Sequence, residues 1–104
     1  MPRAARDFSP IYPTEQVVLS FDFSPAIAAG ETLVTSTVSI VLVAGVDATP
    51  ASRLIGSPSI AGLIIMQMVG TCQSVATYDI IATVVTSAGE TLTMNAHLTC
   101  LSIQ

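Results

Sequence analysis

The closing stretch, residues 77–103, most constrains what this chain can fold into. Two runs rich in Val, Ile and Thr flank Ser87-Ala-Gly-Glu90. β-Branched residues fit a pleated, half-buried surface, and Gly89 supplies the positive φ that a tight turn needs. The stretch therefore reads as a long hairpin. Its turn, Ala88-Gly-Glu-Thr-Leu92, repeats an earlier Ala29-Gly-Glu-Thr-Leu33. The identity suggests one local solution used twice, with Gly30 and Gly89 as turn residues followed by a strand.

Earlier segments extend the β pattern. In Gln16–Phe23 the alternation puts Val17, Leu19, Phe21 and Phe23 on one face, and Ser20 and Asp22 on the other. Pro25 and Gly30 punctuate the connection to a second strand over Glu31–Val43. That strand opens with Thr and Ser alternating against Val, then turns apolar on both faces at Ile40-Val-Leu-Val43. The change predicts passage into a place covered on both sides. Gly45–Ser52 is loop chemistry, and Gly56, Pro58 and Gly62 leave room only for short strands over Arg53–Gly62. A strand is expected over Ile60–Val69, interrupted by Gln67. The whole predicts an all-β antiparallel β-sandwich or small barrel of six or seven strands. Tyr78 sits where an immunoglobulin-like sandwich often carries a tyrosine corner, although an ordinary half-buried Tyr is equally compatible.

Residues 1–14 differ from this body, which spans 15–104. Pro2, Pro10 and Pro13 each remove a donor and bias the preceding residue toward extended conformations, so an extended N-terminal arm is expected. Its aromatic residues, Phe8 and Tyr12, need a surface to pack on, either this body or a neighbour. Charge divides at the same boundary. The arm holds Arg3 and Arg6 against Asp7. The body holds six carboxylates against Arg53 alone, a formal −5.

Only 10% of the 104 residues are charged, against 51% hydrophobic, and there is no lysine. A surface this poor in charge is readily desolvated by a partner, which predicts a subunit of an assembly. The net charge of −4 argues against nucleic acid. A membrane span needs about 18 continuous apolar residues, longer than Ile40–Val46 or Ile60–Val69. No apolar run follows the charged N-terminus as a secretory signal would require. Two cysteines do not make a disulfide framework. Symmetric pairing of the hairpin would bring Cys72 and Cys100 near one open end, so a bridge is within reach, but two small buried hydrophobes are the preferred reading.

Catalytic patterns are missing. His97, the single histidine, lies in an alternating strand beside Asn95 and Thr99, which suits a polar-face position. One His and two distant Cys do not assemble a zinc site. Gly56-Ser-Pro-Ser-Ile-Ala-Gly62 lacks the Lys and following helix of a phosphate loop. Glu31 and Glu90 each follow a turn Gly, where solvation of the turn explains them. The expectation is a non-enzymatic protein with no cofactor and no metal. The candidate partner-binding residues are Arg3, Arg6, Phe8, Tyr12 and Arg53.

Several motifs together carry a family resemblance. They are Pro13-Thr-Glu-Gln-Val-Val18, Phe21-Asp-Phe-Ser24, Ile27-Ala-Ala-Gly-Glu-Thr-Leu-Val-Thr-Ser-Thr37, and Tyr78-Asp-Ile-Ile-Ala-Thr-Val-Val-Thr-Ser-Ala-Gly-Glu-Thr-Leu92. Over most of residues 13–103 the chain resembles the small fiber-tail adaptor proteins of tailed bacteriophages and prophages. Glu31 matches the acidic residue that follows the first turn Gly there. Asp22-Phe23 stands where that family often has Asp-Trp, an aromatic of its second strand is replaced near Val38, and a Gly-Gly before the Tyr strand is absent. The resemblance implies an immunoglobulin-like virion protein joining connector or tail tube to tail fibres, in several copies, assembled in the host cytoplasm. It carries over no catalytic residue. The competing readings are a capsid decoration or head-completion protein, and a carbohydrate- or adhesin-type binding module.

Overall fold

The computed structural model describes residues 3–4, 8 and 10–101. Its strands are β1 (Arg3–Ala4), β2 (Gln16–Asp22), β3 (Leu33–Ala44), β4 (Leu54–Ala61), β5 (Ile64–Gly70), β6 (Thr77–Thr86) and β7 (Thr91–Thr99). They form two sheets, ordered β1-β7-β6-β3 and β2-β5-β4. Every pairing is antiparallel except that of β1 with β7. Lettered A to G in chain order, these strands place C-F-G opposite B-E-D with A beside G. That is the connectivity of an immunoglobulin-type sandwich.

The core lies where the two inner faces meet. Phe21, Ile65 and Val69 come from one sheet and Tyr78, Ile80, Val84 and Leu98 from the other, all with no exposed surface. In β6, residues 78, 80, 82, 84 and 86 are buried and their odd neighbours half-buried, the period of two expected of a strand covered on one side. Burying each large apolar side chain contributes about 1.5–3 kcal/mol before the entropy of ordering it is subtracted.

The repeated turns behave alike and meet. Gly30 and Gly89 take φ of +88° and +87°, a conformation costly for any residue with a Cβ. The two segments lie side by side, because Leu33 pairs with Thr86. The Ser87 N–H donates to the Thr32 carbonyl at 2.9 Å, and the Thr32 N–H donates back to Ser87 Oγ at 3.1 Å. The β6–β7 ladder runs without slip from Thr77–Thr99 to Val85–Thr91, as the hairpin reading predicts.

The region expected as one strand over Ile60–Val69 is instead a hairpin, with Gly62 and Leu63 turning between β4 and β5. β4 is also longer than its Gly and Pro content allows on propensity alone. A bulge absorbs them: the register slips between Ile55 and Ser59, so Gly56, Ser57 and Pro58 all oppose the single Gln67. Gln67 is buried, and its Nε2 donates to the carbonyls of Met68 (2.8 Å), Ile55 (3.2 Å) and Gly56 (3.3 Å). The polar residue that interrupts the apolar run is what satisfies the bulge.

The cysteines require a second correction, because Cys72 and Cys100 form a disulfide, with Cα atoms 6.0 Å apart. Hairpin symmetry by itself puts Cys100 beside Ala76, and its N–H donates to the Ala76 carbonyl at 2.8 Å. The loop 71–76 then folds back, using left-handed φ at Thr71 (51°) and Val75 (66°), and this reversal brings Cys72 across. Such backbone reversal leaves no trace in the spacing of two cysteines.

β3 is the third correction. Among the described residues it pairs only with β6 and ends its sheet. Val41 and Val43 project outward, 52% and 53% exposed, so the doubly apolar stretch is not covered on both sides.

Candidate interaction surfaces

Arg53, the one cation of residues 15–104, is largely buried. The Arg53 side chain is 10% exposed, its guanidinium donates to the Thr71 carbonyl, and its Nε lies 3.8 Å from Asp47 Oδ2. Asp47, 2% exposed at its side chain, also accepts the Tyr78 hydroxyl at 2.8 Å and the Thr49 N–H at 2.9 Å. The Gln73 N–H donates to the Tyr78 hydroxyl oxygen at 3.1 Å. Tyr78 is thus a true corner tyrosine, binding backbone a few residues upstream. The network ties the β3–β4 connection to the β5–β6 loop, and the disulfide ties that loop to the end of β7. Burial pushes the Asp47 carboxyl up, but Tyr78, Thr49 and Arg53 outweigh it and hold the group below the usual 3.8. Burial, then the Asp47 carboxylate, pushes the Tyr78 hydroxyl above its usual 10.0 despite the Gln73 bond. This cluster braces one end of the sandwich.

The arm residues fall differently. Arg3 enters β1 through its backbone, paired parallel with Met94 of β7, and Arg6 lies outside the described residues. The Phe8 N–H donates to the His97 carbonyl at 3.1 Å, and its ring meets Phe21 edge-on with centroids 5.3 Å apart. Ile11 is buried, bridges Cys100, and exchanges backbone bonds with Thr99 and Leu101. The described residues of this segment therefore run along β7 and cover the core. Phe8 packs on its own body, whereas Tyr12 is 46% exposed. His97 is exposed on the outer face of β7, opposite Asp79, the polar-face position expected of it.

Two other surfaces remain. On the outer face of β2-β5-β4, Val18, Ile55, Ser57, Ser59, Met66 and Met68 line a shallow groove of about 340 Å³. The second surface is the free edge of β3, with Val34, Val41 and Val43 each more than half exposed. Strands β3, β4 and β5 contain no charged residue. Sequence reasoning placed the binding residues among the arginines and arm aromatics and passed over these valines and methionines. The signal was there as apolar residues on both faces of a strand, but it was read as burial within one copy. Asp47 left a fainter sign, the Asp-Ala-Thr spacing of a side chain that caps its own turn. Among the described residues no three His, Cys, Asp or Glu side chains gather as a metal site.

Comparison with protein-family models, with curated proteins and with solved structures found no match to this chain.

Proposed function

We propose that the chain is a structural virion protein of a tailed bacteriophage, an adaptor that links the neck or tail (connector or tail tube) to the tail fibres. It acts without cofactor or catalysis, through contacts with other virion proteins and with copies of itself. The observation that carries this reading is the apolar exposure of three strands, β3 in one sheet and β4 and β5 in the other. They have no charge, yet they leave Val34, Val41, Val43, Ile60, Ile64 and Met68 exposed. Uncharged strands that expose this many large apolar side chains are what an assembled subunit buries. The motifs shared with fiber-tail adaptors supply the choice of assembly. The internal disulfide suits a particle that leaves the reducing cytoplasm after assembly there.

The test is to purify tailed particles from cells that encode the chain and to locate it by antibody labelling and particle reconstruction. Labelling at the neck or tail, in several copies around the axis, is the expected result. Labelling of the capsid surface would make it a decoration protein instead. Absence from intact particles would overturn the virion reading.

A further inference from the structure

The free edge of β3 is built to receive another strand. We propose that its occupant is β3 of a second copy of this chain, paired antiparallel about a two-fold axis through Ser39. The inference stands on strand chemistry and does not depend on the virion reading.

Exposed strand edges are normally blunted by brevity, proline, charge or bulges. Among the described residues three of the four sheet edges show such devices. β1 is two residues long, β4 carries Pro58 within its bulge, and β2 ends on Asp22 with Glu15 just before its start. β3 keeps regular register from Thr35 to Leu42, with slips only at its ends, and it has no charge, no Pro and no Gly. Its long central backbone is therefore an unprotected ladder of donors and acceptors.

Side chains point to the same occupant. Val38, Ile40 and Leu42 face the core but are only half-buried, because no strand is hydrogen-bonded beyond β3 to continue the sheet over them, although β4 of the other sheet lies close by. Val41 and Val43 face outward. A two-fold pairing about Ser39 uses the bulge-free stretch and sets Val38 against Ile40 of the other copy, twice, extending each core sideways. On the outer face it sets Thr37 against Val41 and Thr35 against Val43, the β-branched pairs that stabilise sheets. Neighbours on one face stay on one face, so the register continues both sheets.

Charge favours a copy over a charged foreign strand. β3 has no charge with which to select one. The one carboxylate of the neighbouring strand β6, Asp79, lies opposite Val41. In the paired form the two Asp79 groups stand three strands and four residues apart. At ~4.8 Å per strand and ~3.3 Å per residue that is about 19 Å, beyond the ~8 Å Debye length. The contact strip is about 30 Å long and about 10 Å deep, roughly 600 Å² over both copies, which belongs to weak, concentration-dependent association. Half-association on the order of 100 µM is expected for such a strip.

Sedimentation equilibrium of the full chain from about 10 µM to about 1 mM tests this. The mass should climb from 10.7 kDa toward twice that value. Thr37→Lys/Val41→Lys and Thr37→Glu/Val41→Glu place like charges opposite each other, so each variant alone should stay monomeric. Their equimolar mixture places Lys against Glu and should associate at least as well as wild type. Hydrogen exchange of wild type needs no variant: within residues 35–43 the alternate amides that point away from β6 should slow about fourfold from the lowest to the highest concentration, while β5 amides should not change. A mass that stays flat to 1 mM, a Lys variant that associates like wild type, or a mixture no better than its components would overturn the proposal.

Discussion

Removing the Cys72–Cys100 disulfide should lower stability by a calculable amount. The bridge spans 28 residues of sequence. The chain-entropy relation for a loop of that length gives about 3.5 kcal/mol at 25 °C, most of it from the cost of closing the loop in the unfolded chain. A domain of 104 residues loses roughly 0.2 kcal/mol of stability per degree near its midpoint, so the shift in Tm should be about 16 °C. The sulfurs are almost fully buried, with Cys72 3% and Cys100 1% exposed, so reductant acts slowly on the folded chain. The sample is best reduced in denaturant and refolded, with Cys72→Ala/Cys100→Ala as a variant that needs no reductant. Differential scanning calorimetry reads the shift, and intact mass checks the thiol count. A fall under about 4 °C in both samples would refute the reasoning. It would mean that the hydrogen bonds of the 71–76 loop already restrict the chain as much as the bridge does. Two free thiols in air-oxidised wild type would refute it more directly.

Three further predictions concern other joints of the fold. Gln67→Leu should cost about 1–3 kcal/mol in urea unfolding, because it leaves the bulge carbonyls of Ile55, Gly56 and Met68 without their donor while keeping the side-chain volume. A change under about 0.5 kcal/mol would show that solvent satisfies the bulge instead. Gly45→Ala should destabilise clearly more than Gly89→Ala. Both glycines have positive φ, but a Cβ on Gly45 would lie 2.8 Å from the Ala76 Cα, whereas one on Gly89 meets nothing within 4 Å. Equal Tm losses would contradict that ranking. Finally, the Asp47 carboxyl is held below its unfolded value, so its contribution to stability is full above pH 3.8 and lost as pH falls through the lower folded value. Tyr78→Phe should remove about 1.5–3 kcal/mol at neutral pH, and should flatten this acid dependence by taking away the hydroxyl that Asp47 accepts. Unchanged acid unfolding in that variant would mean the carboxyl draws its stabilisation elsewhere.

The legible parts of this protein were those with local causes. The closing hairpin, its turn and the Gly30 repeat follow from β-branched runs around residues able to take positive φ. The alternation of β2 follows from the same pleat. Tyr78 was half legible: its place at the start of a late strand suggested a corner, but its hydroxyl partners, Gln73 and Asp47, come from two different loops. The β4–β5 hairpin was obscured because Gly62 sits in an apolar run whose halves each look like the middle of one strand. Gln67 looked like a flaw in that run because its three acceptors exist only once the bulge has formed. Of the candidate site residues, Arg53 is the one whose burial has no sign in the sequence, because exposure is the ordinary state of a lone arginine. Its burial depends on Thr71 and Asp47 arriving from elsewhere in the chain.

The sequence by itself determined that this protein is all-β, one sandwich, poor in charge, with tight turns after Ala29 and Ala88. These properties depend on side-chain period and backbone freedom, which neighbours in the chain already contain. Only the tertiary structure decided which strand became an edge, whether Cys72 met Cys100, and whether Arg53 faced solvent. Each of those depends on bringing distant segments together, and that outcome is set by the packing of the whole core. The doubly apolar stretch of β3 shows the division most clearly. Its residues encode a demand to be covered on both sides, and the fold of one copy leaves that demand unmet.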